Sequence, residues 1–137
     1  MREYMQFYIN GEWTDPTSPR SLDVIDPATE EVAGQISLGS DADVDKAVTA
    51  AATAFKTWSR TSKDERLAIL NRIVEEFEKR VPELGTAITE EMGAPKWLAD
   101  GTQAAVGVNH FKTAIGVLEN FEFEEDRGTS RVSREPI

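Results

Sequence analysis

The longest regular pattern of apolar positions runs from Ser62 to Gly93 and predicts two consecutive amphipathic helices. Ser62 and Glu65 form an S-x-x-E capping box at its start, and Gly93 is a residue type that commonly ends a helix. Pro82 has no backbone N–H, so we expect it to end the first helix and open the second. The apolar positions follow one another at helical spacing: Leu67, Leu70, Ile73, Val74, Phe77, Val81, Leu84, Ala87, Ile88 and Met92.

Two further stretches have the same periodicity, one on each side of this pair, so that helices are predicted throughout residues 40–120. Residues 40–59 begin with Ser40 as a candidate N-cap, followed by acidic residues in the first turn, where the helix dipole favours them. Residues 95–120 form the last helix of the prediction. Three internal glycines each weaken that helix by up to ~1 kcal/mol relative to alanine; they are Gly101, Gly107 and Gly116.

Short extended segments predict strands at both ends of the chain. In residues 5–38, apolar runs alternate with turns, and Asn10-Gly11 is a strong hairpin signal because both residue types tolerate positive φ. Residues 129–137 also look extended, Pro136 suits an edge strand, and we expect this strand to have no partner at its own end of the chain. The sequence therefore predicts an α+β segment with an N-terminal β-hairpin, several amphipathic helices and a C-terminal edge strand.

Composition excludes several classes of function. The chain has 25 acidic and 15 basic residues and a formal net charge of −10, which disfavours nucleic acid and anionic membrane surfaces as partners. It has no cysteine, so it contains no disulfide, thiolate metal site or cysteine nucleophile. No apolar run approaches the ~20 residues of a membrane helix, and the N-terminus lacks the apolar stretch of a signal peptide. We expect one soluble, cytoplasmic domain.

Two familiar binding motifs are imitated but incomplete. In residues 41–45 every second residue is aspartate, as at the start of a calcium-binding loop. However, Lys46 and Ala52 occupy the positions where that loop needs glycine and glutamate. Gly34 and Gly39 have the spacing of P-loop glycines, but the lysine and the hydroxyl residue that follow in a P-loop are missing. We therefore predict neither a calcium site nor a phosphate site here.

The remaining ionisable residues give little sign of chemistry. His110 is the only histidine and has no second ligand to share a metal, and the acidic run in residues 122–126 is interpreted as a solvated connection. Glu90 and Glu91 are unusual, because a predicted helix C-terminus disfavours carboxylates by about 0.3–1 kcal/mol each. Either Lys96 compensates their charge or a bound monovalent cation does, and we expect Lys96.

Several short motifs, in their order along the chain, resemble the aldehyde dehydrogenase superfamily. Residues 26–31 are similar to the family's N-P-A-T-G-E turn, although Asp26 and Glu30 replace its asparagine and glycine, and Ala94 stands where lysine is common. The other matching stretches are residues 7–13, which contain I-N-G-E-W; the helix of residues 43–58; Glu65-Arg66; E-M-G-A-P at residues 91–95; and R-E-P-I at residues 134–137.

The resemblance implies an α/β family fold in which residues 1–137 are the N-terminal part of the cofactor-binding domain. Residues 5–38 then supply the hairpin strands, residues 40–120 the helices, and residues 129–137 the start of the oligomerisation strand. The family oxidises an aldehyde to a carboxylic acid with NAD or NADP, but its catalytic residues and cofactor-binding strands lie in later sequence. We therefore expect no catalytic residue, no cofactor binding and no activity in this chain alone.

The resemblance also implies partners and an ion. The partner is the remainder of a dehydrogenase chain or another subunit, so we expect an oligomer. The ion is a monovalent cation near the end of the helix of residues 82–92, with the Glu91 side chain and the backbone carbonyls of Val24 and Ile25 as ligands. Two other hypotheses remain: a stand-alone helical interaction module derived from the family, and a cation-binding structural piece without chemistry.

Overall fold

The computed structural model describes residues 2–135, which form short strands around a few long helices. The strands are β1 (Arg2–Tyr4), β2 (Phe7–Ile9), β3 (Glu12–Thr14), β4 (Ser21–Ile25), β5 (Val32–Ser37), β6 (Glu124–Arg127) and β7 (Ser130–Ser133). The helices are α1 (Asp41–Trp58), α2 (Lys63–Met92), α3 (Lys96–Leu98), a π-helical turn (Ala99–Gln103) and α4 (Ala104–Glu119). The predicted α+β class is confirmed, and the expected edge role of Pro136 lies outside the described residues.

Helix α2 is one continuous element of 30 residues, so the prediction that Pro82 separates two helices is wrong. Proline removes one intrahelical hydrogen bond and normally kinks or breaks a helix. Here both halves of α2 are held by packing, since Val74 is buried before the proline and Gly85 is buried against the π-helical turn after it. Tertiary contacts therefore override the local preference.

Both predicted ends of α2 are confirmed. The Glu65 carboxylate accepts a hydrogen bond of 2.7 Å from the Ser62 backbone N–H, and the Ser62 hydroxyl accepts one of 3.2 Å from the Glu65 N–H. These bonds from Ser62 lower the pKa of the Glu65 carboxyl. At the other end Gly93 adopts a φ of 64°, the left-handed conformation that glycine takes without strain.

The apolar core lies between α2 and α4. Phe77 of α2 packs edge-on against Phe111 of α4, with ring centroids 6.4 Å apart. Gly107 makes this approach feasible, because a Cβ at that position would lie 2.6 Å from the Phe77 ring. The buried cluster consists of Val74, Val108 and Ile115, with Leu67, Leu70, Phe77, Val81 and Phe111 packed against it.

The N-terminal strands form two small sheets. Strands β2 and β3 make the predicted hairpin, and its turn residues Asn10 and Gly11 have φ values of 56° and 85°. Strands β4 and β5 are antiparallel, and β1 pairs in parallel with the outer side of β5 and was not predicted. Strand β1 has only three residues, and they show no alternation of apolar and polar side chains, so the sequence carries no signal for this strand.

The C-terminal hairpin corrects two expectations. Strand β7 is not without a partner, because it pairs with β6, which the sequence analysis had interpreted as a solvated connection. The strands are matched by charge: Arg131 pairs with Glu124, and Arg134 donates to Glu125 over 2.9 Å. Alternating apolar residues are the usual strand signal, and this hairpin uses opposite charges instead.

The packing of Gly107 leads to a test with a matched control. Gly107→Ala should lower the free energy of unfolding by about 1–3 kcal/mol, because its Cβ collides with Phe77. Gly116→Ala in the same helix should raise it by up to ~1 kcal/mol, since nothing lies within 4 Å of that Cβ position. Urea unfolding of both variants measures the difference, and equal shifts would contradict the proposed close contact.

Candidate functional site

A small cavity of about 150 Å³ lies where the strands β1, β4 and β5 meet the end of α2. Val24 and Glu91, two of the three predicted cation ligands, both line it, together with Arg2 and Glu90. Ile25 follows Val24 in β4 but is not part of this lining. The fold therefore brings two of the three predicted ligands to one place, although they are far apart in sequence.

The strand pairing is irregular beside this cavity. Val24 pairs with Gly34 but Ile25 pairs with Val32, so Ala33 is an extra residue in β5. Such a bulge interrupts the regular ladder and redirects backbone groups. Carboxylate and carbonyl oxygens are the donors that hard cations accept, so the donor chemistry fits the predicted ion. Binding of a cation here stays a prediction.

The charges at the end of α2 are arranged differently from the sequence expectation. The guanidinium of Arg2 lies 3.0 Å from the Glu90 carboxylate and 4.0 Å from that of Glu91. Lys96, which was expected to compensate these carboxylates, instead forms an ion pair of 2.7 Å with Asp100, one turn further along. The Lys96 expectation is wrong, because the nearest cation comes from a strand some ninety residues away in sequence.

A second polar cluster, centred on Asp43, was missed as a site by the sequence analysis. The Asp43 side chain is buried, and one of its oxygens accepts hydrogen bonds from the Thr17 N–H (2.9 Å) and the Thr17 hydroxyl (2.6 Å). Its other oxygen accepts from the Ser40 N–H (2.9 Å) and the Ser40 hydroxyl (2.7 Å). Serine followed three residues later by a carboxylate was the available signal. The cluster ties the loop after β3 to the start of α1.

The hydrogen bonds to Asp43 make its contribution to stability depend on pH. They stabilise the carboxylate, those from the Thr17 hydroxyl most, and hold the pKa of Asp43 well below its usual range. A depressed pKa contributes stability that is fully present above the unfolded-state pKa of about 3.9 and is lost as the pH falls further.

Asp43→Asn should therefore lower the melting temperature at pH 7 and flatten the decline of the melting temperature in acid.

Melting temperatures between about pH 6 and 2 measure this effect across the window in which the Asp43 carboxylate of the unfolded chain gains its proton. Asp41→Asn is the matched control, because Asp41 is an exposed aspartate in the same helical turn. If both variants keep the wild-type slope in acid, Asp43 does not hold its charge in the folded state as the geometry indicates.

The other residues singled out in the sequence are scattered. Gly34 lies in β5, Gly39 lies before α1, and His110 is exposed on α4. Within residues 2–135, no three histidine or acidic side chains are grouped so that they could hold a metal ion. Among the same residues, none of the helices combines the length and the apolar character needed to cross a membrane.

Helix α1 has an apolar face that the rest of the described structure leaves uncovered. Its side chains follow one another at helical spacing yet remain exposed by 44–59%: Val44, Val48, Phe55 and Trp58. Trp97, at the start of α3, is exposed by 75%. In contrast, the buried apolar residues among those described are only Val74, Ala99, Ala104, Val108 and Ile115. Uncovered apolar faces of this kind mark sites of interaction with other protein, with a membrane or with a ligand.

Comparison with known proteins gives one consistent result. The sequence profile of the aldehyde dehydrogenase family matches residues 13–137. Over 137 residues the chain is 52% identical to 3-succinoylsemialdehyde-pyridine dehydrogenase of a Pseudomonas species, covering 99% of this chain and 29% of that protein. The chain thus spans less than a third of the length of this curated relative.

Solved structures agree with the sequence match. An aldehyde dehydrogenase of Bartonella henselae superposes with a TM-score of 0.90 at 45% identity, covering 94% of this chain and 28% of that one. Aldehyde dehydrogenase C of Pseudomonas syringae, in a variant complexed with NAD+ and octanal, superposes with a TM-score of 0.87 at 42% identity. That second superposition covers 90% of this chain and 26% of the other.

Proposed function

The chain belongs to the aldehyde dehydrogenase family, and from that premise we propose that it forms the N-terminal structural segment of an NAD(P)-dependent enzyme. In this proposal the whole enzyme oxidises an aldehyde to a carboxylic acid. Residues 1–137 supply the N-terminal part of the cofactor-binding domain, and residues 129–137 begin the strand through which subunits associate. The NAD+ complex of the Pseudomonas syringae relative supports the choice of cofactor.

The uncovered face of α1 is the observation that carries this proposal. Phe55 and Trp58 are still 46% and 44% exposed, so covering them would add roughly half of the about 1.5–3 kcal/mol that full burial of a large apolar side chain contributes. A relative more than three times as long has ample further sequence to cover this face. We propose that the remainder of a dehydrogenase chain, or a partner subunit, packs here and that the assembly is oligomeric.

The residues of this chain contribute structure to the proposed enzyme, and the reaction takes place elsewhere. The chain has no cysteine to attack an aldehyde. Asp43 is engaged by Thr17 and Ser40, and Glu65 by Ser62, so both carboxylates are held in helix caps. When bound, NAD or NADP supplies the hydride acceptor, and we propose that its binding strands come from other sequence.

The proposal predicts that this chain alone reduces neither NAD nor NADP with any aldehyde, whereas a chimera does. In the chimera, residues 1–137 replace the matching 29% of the Pseudomonas relative, to which they are 52% identical. With the semialdehyde in that relative's name as substrate, the rate of NAD or NADP reduction should stay within about tenfold of the parent's rate. Volume-conserving core changes of this kind are tolerated. A boiled sample controls for background reduction.

A pair of substitutions in the chimera tests whether the face of α1 is covered. Trp58→Asp should lower the yield of active, assembled enzyme at least about tenfold, because it places a charge in an apolar contact. Trp58→Phe keeps the contact apolar and should remain close to the unsubstituted chimera. An inactive chimera beside a folded, partner-binding chain would instead favour the stand-alone interaction module.

We also propose that the cavity at the end of α2 takes a monovalent cation, held by the Glu91 carboxylate and the backbone carbonyls of Val24 and Ile25. The cavity that Val24 and Glu91 line and the bulge in β5 opposite Val24 and Ile25 support this. Glu91→Gln should abolish any difference in melting temperature between sodium chloride and choline chloride at equal ionic strength. An undiminished difference in that variant would place the ion elsewhere.

A further inference from the structure

Strand β1 carries a permanent positive charge to the end of α2. Arg2 pairs with Gly34 of β5 in the parallel ladder. A Cβ at Gly34 would lie 2.6 Å from the Arg2 carbonyl oxygen, so only glycine lets the two strands approach this closely. The pairing fixes the backbone of Arg2, and the side chain reaches from there to the carboxylates of α2.

Arg2 lines the same cavity as Val24 and Glu91, two of the three proposed cation ligands. Its positively charged guanidinium is 4.0 Å from the Glu91 carboxylate, and its side chain is 30% exposed. A second cation on Glu91 must share the carboxylate with this charge, and like charges a few ångströms apart repel. Arg2 therefore opposes the ion that Glu91 attracts.

The neighbouring glutamate gives Arg2 another partner. Its guanidinium is closer to Glu90, at 3.0 Å, than to Glu91. When a cation binds to Glu91, the Arg2–Glu90 ion pair can remain, so Arg2 weakens the cation site without blocking it. Two adjacent carboxylates at a helix end, each disfavoured by the dipole, then have separate counter-ions.

Resting on the cation site proposed above, we infer that Arg2 is a built-in competitor of the bound cation and sets its affinity. The coupling works in both directions, because two events linked by one free energy affect each other equally. Docking of β1 on Gly34 lowers the affinity for the cation, and the bound cation loosens the docking of β1.

Arg2→Gln tests the inference directly. It should tighten sodium binding about three- to tenfold, because it removes one unit charge a few ångströms from the ion in a partly exposed site. Sodium NMR line broadening, measured in the chimera that carries residues 1–137, reports the affinity without depending on enzymatic activity. Circular dichroism verifies that each variant is folded.

Two further variants separate competition from a general change in charge. Gly34→Ala keeps Arg2 but displaces β1 through the collision with the Arg2 carbonyl, and it should also tighten sodium binding. Arg72→Gln removes an exposed charge of the same kind from α2, about 28 Å along the helix from Glu91, and should leave the affinity unchanged.

The outcomes are distinct. If Arg2→Gln and the wild type bind sodium equally and Glu91→Gln abolishes binding in both, the competition is overturned while the cation site stands. If Arg2→Gln binds more weakly, Arg2 supports the site and the inference is overturned as well. If no variant gives a sodium signal that Glu91→Gln removes, both the cation site and the competition fail.

Discussion

The packing of α2 against α4 is the contact on which the rest of the described structure depends. Phe77 approaches the backbone of α4 at Gly107, and this closeness brings Val74, Val108 and Ile115 into one buried cluster. A close-packed interior fixes the relative position of both helices. The end of α2 then lies beside the sheet of β1, β4 and β5, which is where the cavity and its charges are found.

Ion pairs connect the segments of the fold where apolar contacts are few. The chain is strongly acidic, and arginines are matched to carboxylates of other segments at the points where those segments meet. Each exposed pair contributes at most about 1 kcal/mol, so these pairs select a register more than they stabilise the fold. The pairs that do this are Arg2–Glu90, Arg131–Glu124 and Arg134–Glu125.

A small core beside a long uncovered apolar helix distinguishes this chain from an independent domain of its size. A chain of this length that folded alone would bury about two thirds of its surface. Here α1 instead presents Val44, Val48, Phe55 and Trp58 to the outside. This imbalance, together with the family match, supports the proposed role as a segment that is completed by further dehydrogenase sequence.

The sequence by itself determined the family and those features that arise between residues close together in the chain. Local hydrogen bonds and backbone preferences act within a few residues, so the Ser62–Glu65 cap, the Asn10-Gly11 turn and the helix end at Gly93 could all be predicted. The candidate site was predictable only in part: the family resemblance pointed to Val24, Ile25 and Glu91. Only the tertiary structure decided the counter-ion Arg2, the burial of Asp43, the partner of β7 and the course of α2 through Pro82. Most of these features depend on contacts between residues far apart in the chain. The pairing of β7 depends on a neighbouring strand matched by charge. The apolar pattern of the sequence encodes neither kind of contact.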